Sequence, residues 1–267
     1  KRMSGKGKWE EGMIVGMSGE GVAPISNLTI AKAHEAKIKV ISYDRLIRNA
    51  PVDLYLSFDP VGVGRLQAQS IVKLVARGNY ALIEGADTDN NAFLLKKGQM
   101  EVLKPLIDKG DIKVVYEQWS KDWKPEEAMR NMENALTANG NKIDAVIAAN
   151  DGTAGGVIQA LAAQGMDGKI PVSGQDAELA ACQRIAEGKQ AMTIYKPLKK
   201  LADRAAEAAL SFAKGEKITT TEKVNNGKED IPSILLSPLA VDKNNLLETV
   251  VKDGYQKKEA VFKKNKS

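Results

Sequence analysis

Short runs of β-branched and aliphatic residues alternate along this chain with longer amphipathic segments. The short runs predict six strands, at residues 39–43, 80–84, 112–116, 144–148, 170–173 and 191–195. In the segments between them apolar residues recur with the 3.6-residue period of a helix, and four of these patterns end at Gly78, Gly140, Gly165 and Gly215. Repeated strand–helix alternation predicts an α/β fold in which parallel sheets carry helices on both faces.

The two ends of the chain differ from this pattern. Near the C-terminus we predict strands at 218–221 and 234–236, a turn at 225–227, a helix from Asn245 through Val251 that stops at Gly254, and no regular structure at 257–266. Residues 1–12 are polar and glycine-rich, and the apolar run at 13–15 is very short.

Composition and charge narrow the function classes. The chain has 267 residues, which suits one large or two modest domains, and its 39 basic and 34 acidic residues leave a net charge of +5. The lysines are interleaved with acids, which argues against a nucleic-acid surface, and no helix-turn-helix segment of a repressor precedes the core. No apolar run is long enough to span a membrane and no signal-peptide pattern follows Lys1, so we expect a cytosolic or a mature exported protein.

The sequence leaves little room for disulfides, zinc sites or catalysis that depend on cysteine and histidine. Cys182 and His34 are the single residues of their types, so neither an internal disulfide nor a Cys/His zinc site can form. We expect Cys182 to be a buried thiol and His34 to lie on a solvated helix, away from any catalytic motif. We predict no metal and no cofactor: the Asp87-x-Asp89-x-Asn91 start of a calcium loop is not continued, and the glycines at 16, 19 and 21 do not form a dinucleotide motif.

The residues that follow the predicted strands carry the candidate chemistry. In open α/β sheets ligands bind at the carboxyl ends of the strands. Those ends supply seven candidate ligand-binding residues: Arg45, Asp89, Asn91, Trp123, Asn150, Asp176 and Lys196. They combine charged donors, charged acceptors, amides and an aromatic face, which is the mixture that the hydroxyls and the C–H face of a sugar require. Any one of them could instead be a helix cap or a loop ion pair.

The same stretches resemble a known family. They are ISYDR at 41–45, DNNA at 89–92, GQM at 98–100, NMENALTAN at 131–139, KIDAV at 142–146, TAGG at 153–156, GQD at 174–176 and YKP at 195–197. In them the chain closely resembles the periplasmic D-xylose-binding proteins of ABC transporters, over roughly residue 26 to the C-terminus. The resemblance implies the two-lobed type I periplasmic-binding-protein fold, with D-xylose or a similar aldopyranose as the ligand.

The resemblance also implies how the site is divided. Lobe one would comprise residues 1–57 and 196–235, and lobe two residues 58–195 and 236–267. Arg45 would come from lobe one, Lys196 from beside the hinge, and the other five residues from lobe two. The strand–helix–strand unit that begins such proteins is not found here, so we expect lobe one to be incomplete at its N-terminus and to form a homodimer through the exposed surface.

Function would then be capture of the sugar by hinge closure for import, without catalysis. We expect an extracytoplasmic location, either the periplasm or a lipid-anchored position on a Gram-positive cell surface, and a membrane permease as the partner. A sensor that signals to a membrane histidine kinase stays open, because both roles use the outer lobe surfaces. An enzyme with Asp89 and Asp176 as paired carboxylates is disfavoured, since the neighbouring Asn, Arg and Lys would keep both acids ionised.

Overall fold

The computed structural model describes residues 14–17 and 27–262, and at 14–17 it describes the backbone. Its strands are β1 (Ile14–Met17), β2 (Val40–Tyr43), β3 (Leu54–Phe58), β4 (Gly78–Glu84), β5 (Ile112–Trp119), β6 (Ala145–Ala148), β7 (Met192–Tyr195), β8 (Glu222–Asn225), β9 (Asp230–Leu236) and β10 (Leu239–Asp242). Its α-helices are α1 (Asn27–Glu35), α2 (Pro60–Leu74), α3 (Asn90–Asp108), α4 (Pro125–Ala138), α5 (Asp151–Ala163), α6 (Leu179–Ala186), α7 (Leu198–Lys214) and α8 (Lys258–Val261). No helix in the described ranges is both long and apolar enough to cross a bilayer.

The chain divides into two compact units. Unit one comprises Lys1–Asp59 and Pro197–Ser237, and unit two comprises Pro60–Lys196 and Pro238–Ser267. Because each unit is built from separate stretches of sequence, the chain passes between them after Asp59, Lys196 and Ser237.

Unit one is a five-stranded sheet in the order β1-β2-β3-β9-β8, parallel except for the β8–β9 hairpin. Side chains alternate between two apolar clusters, so that Val40 packs with Ile30 of α1 and Ile41 packs with Leu201 of α7. The helices therefore cover both faces of this sheet.

Unit two has a three-stranded parallel sheet in the order β5-β4-β6. On one face Leu82 and Ile147 pack against α2 and α3, and on the other Ile83 and Val146 pack against α4 and α5. A second sheet pairs β7 with β10 in antiparallel fashion. The α/β class with helices on both faces of parallel sheets is thus confirmed.

Several predicted elements are wrong. Residues 170–173 form a single bridge between Val172 and Val146 instead of a strand, because Pro171 has no N–H to donate. Residues 218–221 are irregular and the strand begins at Glu222. The predicted helix at 245–251 is a π-helical turn over Leu247–Val251.

Other differences concern strand lengths and the C-terminus. Strand β5 continues to Trp119, three residues beyond its predicted end. Strand β3 was not predicted. The stretch expected to be irregular contains helix α8, in which Val261 is 3% exposed, while residues 263–266 lie outside the described part. The predictions for residues 1–12 and for the glycines at 19 and 21 also fall outside the described residues.

Cys182 and His34, the single cysteine and the single histidine of the chain, have structural roles. Cys182 is fully buried, as predicted, and burial raises the pKa of its thiol to about 12. His34 is not simply solvated: its Nε2 lies 3.0 Å from Oδ2 of Asp53, whose Oδ1 also accepts a hydrogen bond from Lys39. These donors lower the pKa of Asp53 despite its partial burial.

Candidate functional site

The carboxyl ends of the strands in unit two are joined in series by backbone hydrogen bonds. Ala149 donates to the carbonyl of Ile83 at 3.0 Å, which joins the ends of β6 and β4. Asp151 donates to Gln175 at 2.9 Å, and Asp176 donates to Ile194 at 2.8 Å. The segment around Gln175 therefore lies between the end of β6 and β7, and the side chains that follow these ends come from one edge of unit two.

Asp89 and Asn91 follow β4 at the start of α3. Asp89 is the N-cap of this helix, and its Oδ1 accepts a hydrogen bond from the Asn91 N–H at 2.9 Å. The Oδ1 atom of Asn91 is buried and has no hydrogen-bond partner among the described residues. Because buried acceptors in native proteins are nearly always satisfied, this atom is suited to receive a donor from a bound polar ligand.

Trp123 lies in a short 3₁₀ turn, Lys121–Trp123, that follows β5. The turn has left-handed backbone, with φ of 54° at Asp122 and 59° at Trp123. The indole lies so close to Gly85 that a Cβ there would be 2.2 Å from Trp123 Cη2. The absence of a side chain at position 85 is thus what admits the indole beside the end of β4.

Asn150 follows β6 and caps α5. Its Oδ1 accepts from the Thr153 N–H at 2.8 Å, and its own N–H donates to Thr153 Oγ1 at 3.0 Å, which completes a reciprocal capping box. The cap fixes the orientation of the amide, and within the described residues its Nδ2 group makes no hydrogen bond. The Nδ2 donor therefore has a fixed direction and can donate to a ligand.

Asp176 and Lys196 form an ion pair, with Lys196 Nζ 2.9 Å from Asp176 Oδ1. Asp176 has a φ of 100° and Ala177 a φ of 51°, both in the left-handed region that is unfavourable for residues with a Cβ. Tyr255 donates to the Asp176 carbonyl at 3.4 Å and Gln256 to the Ala177 carbonyl at 3.1 Å. Burial, and then the charge of Asp176, raise the pKa of Tyr255. Strained backbone that is fixed in this way is typical of ligand-binding sites.

Arg45 is the predicted site residue of unit one. It follows β2, and its carbonyl accepts a hydrogen bond from Ser42 Oγ at 2.8 Å. The preceding Asp44 has a φ of 63°, and its carbonyl accepts from Ser57 Oγ at 2.7 Å. The backbone that presents the guanidinium is therefore fixed by β2 and β3.

A buried pair of glutamines supports the edge of unit two and was not found from the sequence. Gln67 Nε2 donates to the carbonyls of Ala149 at 3.0 Å and Gly174 at 3.1 Å, and Gln99 donates to Gln67 Oε1 at 3.0 Å. Both glutamines are fully buried on helices that otherwise present apolar side chains to the sheet. A polar residue at a core-facing helical position was the signal that could have revealed them.

The edge of unit two thus carries an indole, an ion pair, an oriented amide donor and an unsatisfied buried acceptor. Across the described ranges, no three His, Cys, Asp or Glu side chains come together as a metal site would require. Such a set can bind a small neutral molecule that both donates and accepts hydrogen bonds and has an apolar face.

Comparison with known proteins agrees with this chemistry. A family model described as a periplasmic binding protein domain matches residues 21–217. The D-xylose-binding periplasmic protein of Haemophilus influenzae is 56% identical over 238 residues, which are 89% of this chain and 71% of that protein. The protein of the same name from Escherichia coli is 54% identical over 233 residues, 87% of this chain and 70% of its own.

A solved structure has a similar backbone. It is a carbohydrate transporter solute-binding protein from Chloroflexus aurantiacus, in complex with D-glucose, with a TM-score of 0.79 and 31% identity. The match covers 87% of this chain and 77% of that one. The family model, the two relatives and this structure agree with one another, and the chain belongs to the periplasmic binding proteins, with their type I fold.

Proposed function

We propose that this protein captures D-xylose, or a similar aldopyranose, with Asp89, Asn91, Trp123, Asn150, Asp176 and Lys196 of unit two and Arg45 of unit one. The observation that carries the proposal is the grouping of six of these side chains at one strand edge, with the buried Oδ1 of Asn91 unsatisfied. The identity of 56% to a relative named for D-xylose supports the choice of sugar.

The chemistry of the edge suits a pyranose. Each sugar hydroxyl donates once and accepts twice, so one hydroxyl can bridge Asp176 and Lys196, while others meet the Asn150 amide and Asn91 Oδ1. Hydrogen bonds to charged groups contribute about 1.5–3 kcal/mol each. The axial C–H groups form an apolar face that can stack on the indole of Trp123.

Binding requires no bond to be made or broken, so we propose a binding protein and not an enzyme. Asp89 already accepts hydrogen bonds from Trp123 and from the Asn91 N–H, and Asp176 is paired with Lys196. Carboxylate oxygens that already accept hydrogen bonds from such donors can accept further ones from sugar hydroxyls.

We propose that the sugar is bound by both units and so stabilises a closed arrangement of them. A ligand shifts a conformational equilibrium by its difference in affinity for the two states, and contacts from both units supply that difference. The closed form would deliver sugar to an ABC-type permease from an extracytoplasmic location, in the periplasm or anchored to the cell surface. The names of the relatives, which are periplasmic proteins, support this location.

Calorimetric titration of the full chain with D-xylose, D-ribose, L-arabinose and D-glucose tests the proposal. We expect saturable 1:1 binding, tightest for D-xylose. Absence of heat with all four sugars would contradict it, and tighter binding of another aldose would correct the ligand. The homodimer expected from the sequence stays a prediction, which light scattering on the same sample tests.

A further inference from the structure

Asp151 is a buried carboxylate next to Asn150 at the start of α5, and it is 1% exposed. Its Oδ1 accepts a hydrogen bond from Gln190 Nε2 at 2.8 Å. Its Oδ2 accepts from Thr193 Oγ1 at 2.9 Å and from the Glu178 N–H at 3.0 Å. One side chain therefore connects the end of β6 with the loop after Asp176 and with β7.

Hydrogen bonds of this network hold the backbone on both sides of Asp176. On its N-terminal side the carbonyl of Gln175 accepts from the Asp151 N–H at 2.9 Å. On its C-terminal side the Ala177 N–H donates to Thr193 Oγ1 at 3.2 Å, and that hydroxyl in turn donates to Asp151. Asp151 and a group that it binds thus help to fix the left-handed backbone at positions 176 and 177, together with the hydrogen bonds from Tyr255 and Gln256.

The network is closely packed. A Cβ at Gly174 would lie 2.1 Å from Asp151 Oδ1 and 2.4 Å from Gln190 Nε2, so position 174 has room for glycine alone. Arg184 donates from Nη2 to the Asp151 carbonyl at 2.8 Å and from Nε to Gln190 Oε1 at 2.9 Å.

Burial of a carboxylate in this position carries a desolvation penalty. Burial raises the pKa of Asp151 to about 7, and the charge of Asp176 raises it as well, while the hydrogen bonds from Gln190 and Thr193 lower it. An apolar side chain of similar size would avoid this desolvation penalty but could not bind three donors from separate segments.

We propose that Asp151 is a positioning residue for the sugar site. It sets the orientation of the Asp176–Lys196 ion pair and of Asn150 by joining the strand ends that carry them, without contacting sugar itself. This inference rests on the proposed function. Asp89 and Trp123 belong to a separate part of the edge, fixed by the cap of α3 and the 3₁₀ turn, and their contribution is independent of Asp151.

The test is calorimetric titration of the full chain with D-xylose. Asp151→Asn places an NH₂ group against at least one of the three donors, and we expect the affinity for D-xylose to fall about tenfold or more. Asp167→Asn is the matched control, because Asp167 follows the other end of α5 and pairs at 3.8 Å with Lys189. It should bind like the wild type.

A double-mutant cycle separates positioning from a general loss of stability. Combined with Asp176→Asn, Asp151→Asn should cause a clearly smaller loss than it does alone, because the ion pair that it positions is already broken and its effect through Asn150 alone remains. Combined with Trp123→Phe, its effect should be fully retained. A merely structural residue would lower the melting temperature and leave the affinity of the folded fraction unchanged.

Thr193→Val provides a second variant should Asp151→Asn fail to fold. It removes the hydroxyl that links β7 to Asp151 while keeping the shape of the side chain, and we expect an intermediate loss of affinity. Wild-type affinity in a folded Asp151→Asn protein would overturn the inference. If Asp151→Asn does not fold, wild-type affinity in Thr193→Val would overturn it. Full additivity with Asp176→Asn would also overturn it. Failure of the wild type itself to bind any sugar would instead refute the proposed function.

Discussion

The indole Nε1 of Trp123 donates a hydrogen bond to Oδ2 of Asp89 at 3.2 Å. This bond joins the turn after β5 to the loop after β4, and the other carboxylate oxygen of Asp89 caps α3. The direction in which the aromatic face points is therefore fixed by the same residue that begins a helix. A stacking surface that is preorganised in this way loses little entropy when a ligand binds.

Removal of the aromatic face should weaken sugar binding. For Trp123→Ala we predict a loss of about 1–3 kcal/mol in the free energy of D-xylose binding, by analogy with aromatic stacking elsewhere. Trp123→Phe keeps an aromatic face and loses the hydrogen bond to Asp89, so its loss should be smaller, about 1 kcal/mol. Calorimetry measures both, and unchanged affinity in Trp123→Ala would remove this residue from the site.

Gly85→Ala should act through Trp123. The new methyl group would lie 2.2 Å from Trp123 Cη2, so the indole must move. We predict weaker D-xylose binding and an altered tryptophan emission spectrum. In a Trp123→Ala background the same substitution should have no further effect on affinity, because the clash is gone; an equal loss in both backgrounds would show that Gly85 acts by another route.

The Asp176–Lys196 ion pair should contribute strongly to affinity. Asp176→Asn removes the charge that meets a sugar hydroxyl and breaks the ion pair with Lys196, so we predict a loss of about 1.5–3 kcal/mol in binding free energy. Asp167→Asn, elsewhere in unit two, is the control and should bind normally. Equal dissociation constants for Asp176→Asn and the wild type, measured by calorimetry, would contradict the assignment.

Substitution of Arg45 tests whether both units contribute to sugar binding. If it binds sugar, Arg45→Ala should weaken D-xylose affinity about tenfold or more, since a charge-assisted hydrogen bond is lost. Arg204→Ala removes an arginine of the same unit that lies on α7 and pairs with Glu207, and it should have no effect. Identical titration curves for Arg45→Ala and Arg204→Ala would restrict the site to unit two.

Glu84 should make stability depend on pH. It is fully buried at the end of β4, and neither of its oxygens has a hydrogen-bond partner within the described ranges. Burial raises the pKa of Glu84 from 4.5 to about 8; Lys96 opposes this shift and Glu117 adds to it. Between those two pH values the native state binds more protons than the unfolded state, so the Glu84 contribution to stability falls as pH rises from about 4.5 to 8.

Glu84→Gln removes this proton uptake. We predict that the variant unfolds at a higher urea concentration than the wild type at pH 8, and that this advantage shrinks or reverses at pH 5. Glu133→Gln, at an exposed position of α4, controls for the loss of one negative charge and should leave the pH dependence unchanged. Parallel pH profiles of stability for the wild type and Glu84→Gln would show that Glu84 does not cause the pH dependence.

The sequence predicted those elements whose pattern is local. Strands β4 and β6 are aliphatic runs followed by polar turns, and both were found. Strand β3 (Leu54–Phe58) was missed although, like β6, it is buried along its whole length: Ser57 interrupts its apolar run, and no alternation of polar and apolar residues marks it. The opposite error, at 170–173, arose because Pro171 interrupts hydrogen bonding in an otherwise suitable run.

The candidate site could be proposed from the sequence in part for the same reason. The rule that ligands bind at the carboxyl ends of strands needs sequence position alone, and it selected six residues that follow the edge of unit two. The residues that orient them act across long separations: Asp151 binds groups 27, 39 and 42 positions away. Such contacts exist after folding and leave no periodic signal in the sequence.

A crystal structure of the full chain with D-xylose would show directly whether these side chains bind the sugar. We predict one pyranose stacked on Trp123, with its hydroxyls within hydrogen-bond distance of Asn91 Oδ1, Asn150 Nδ2 and the Asp176–Lys196 pair, and with Arg45 also in contact with the sugar. A sugar bound elsewhere, with these side chains directed away from it, would contradict the account.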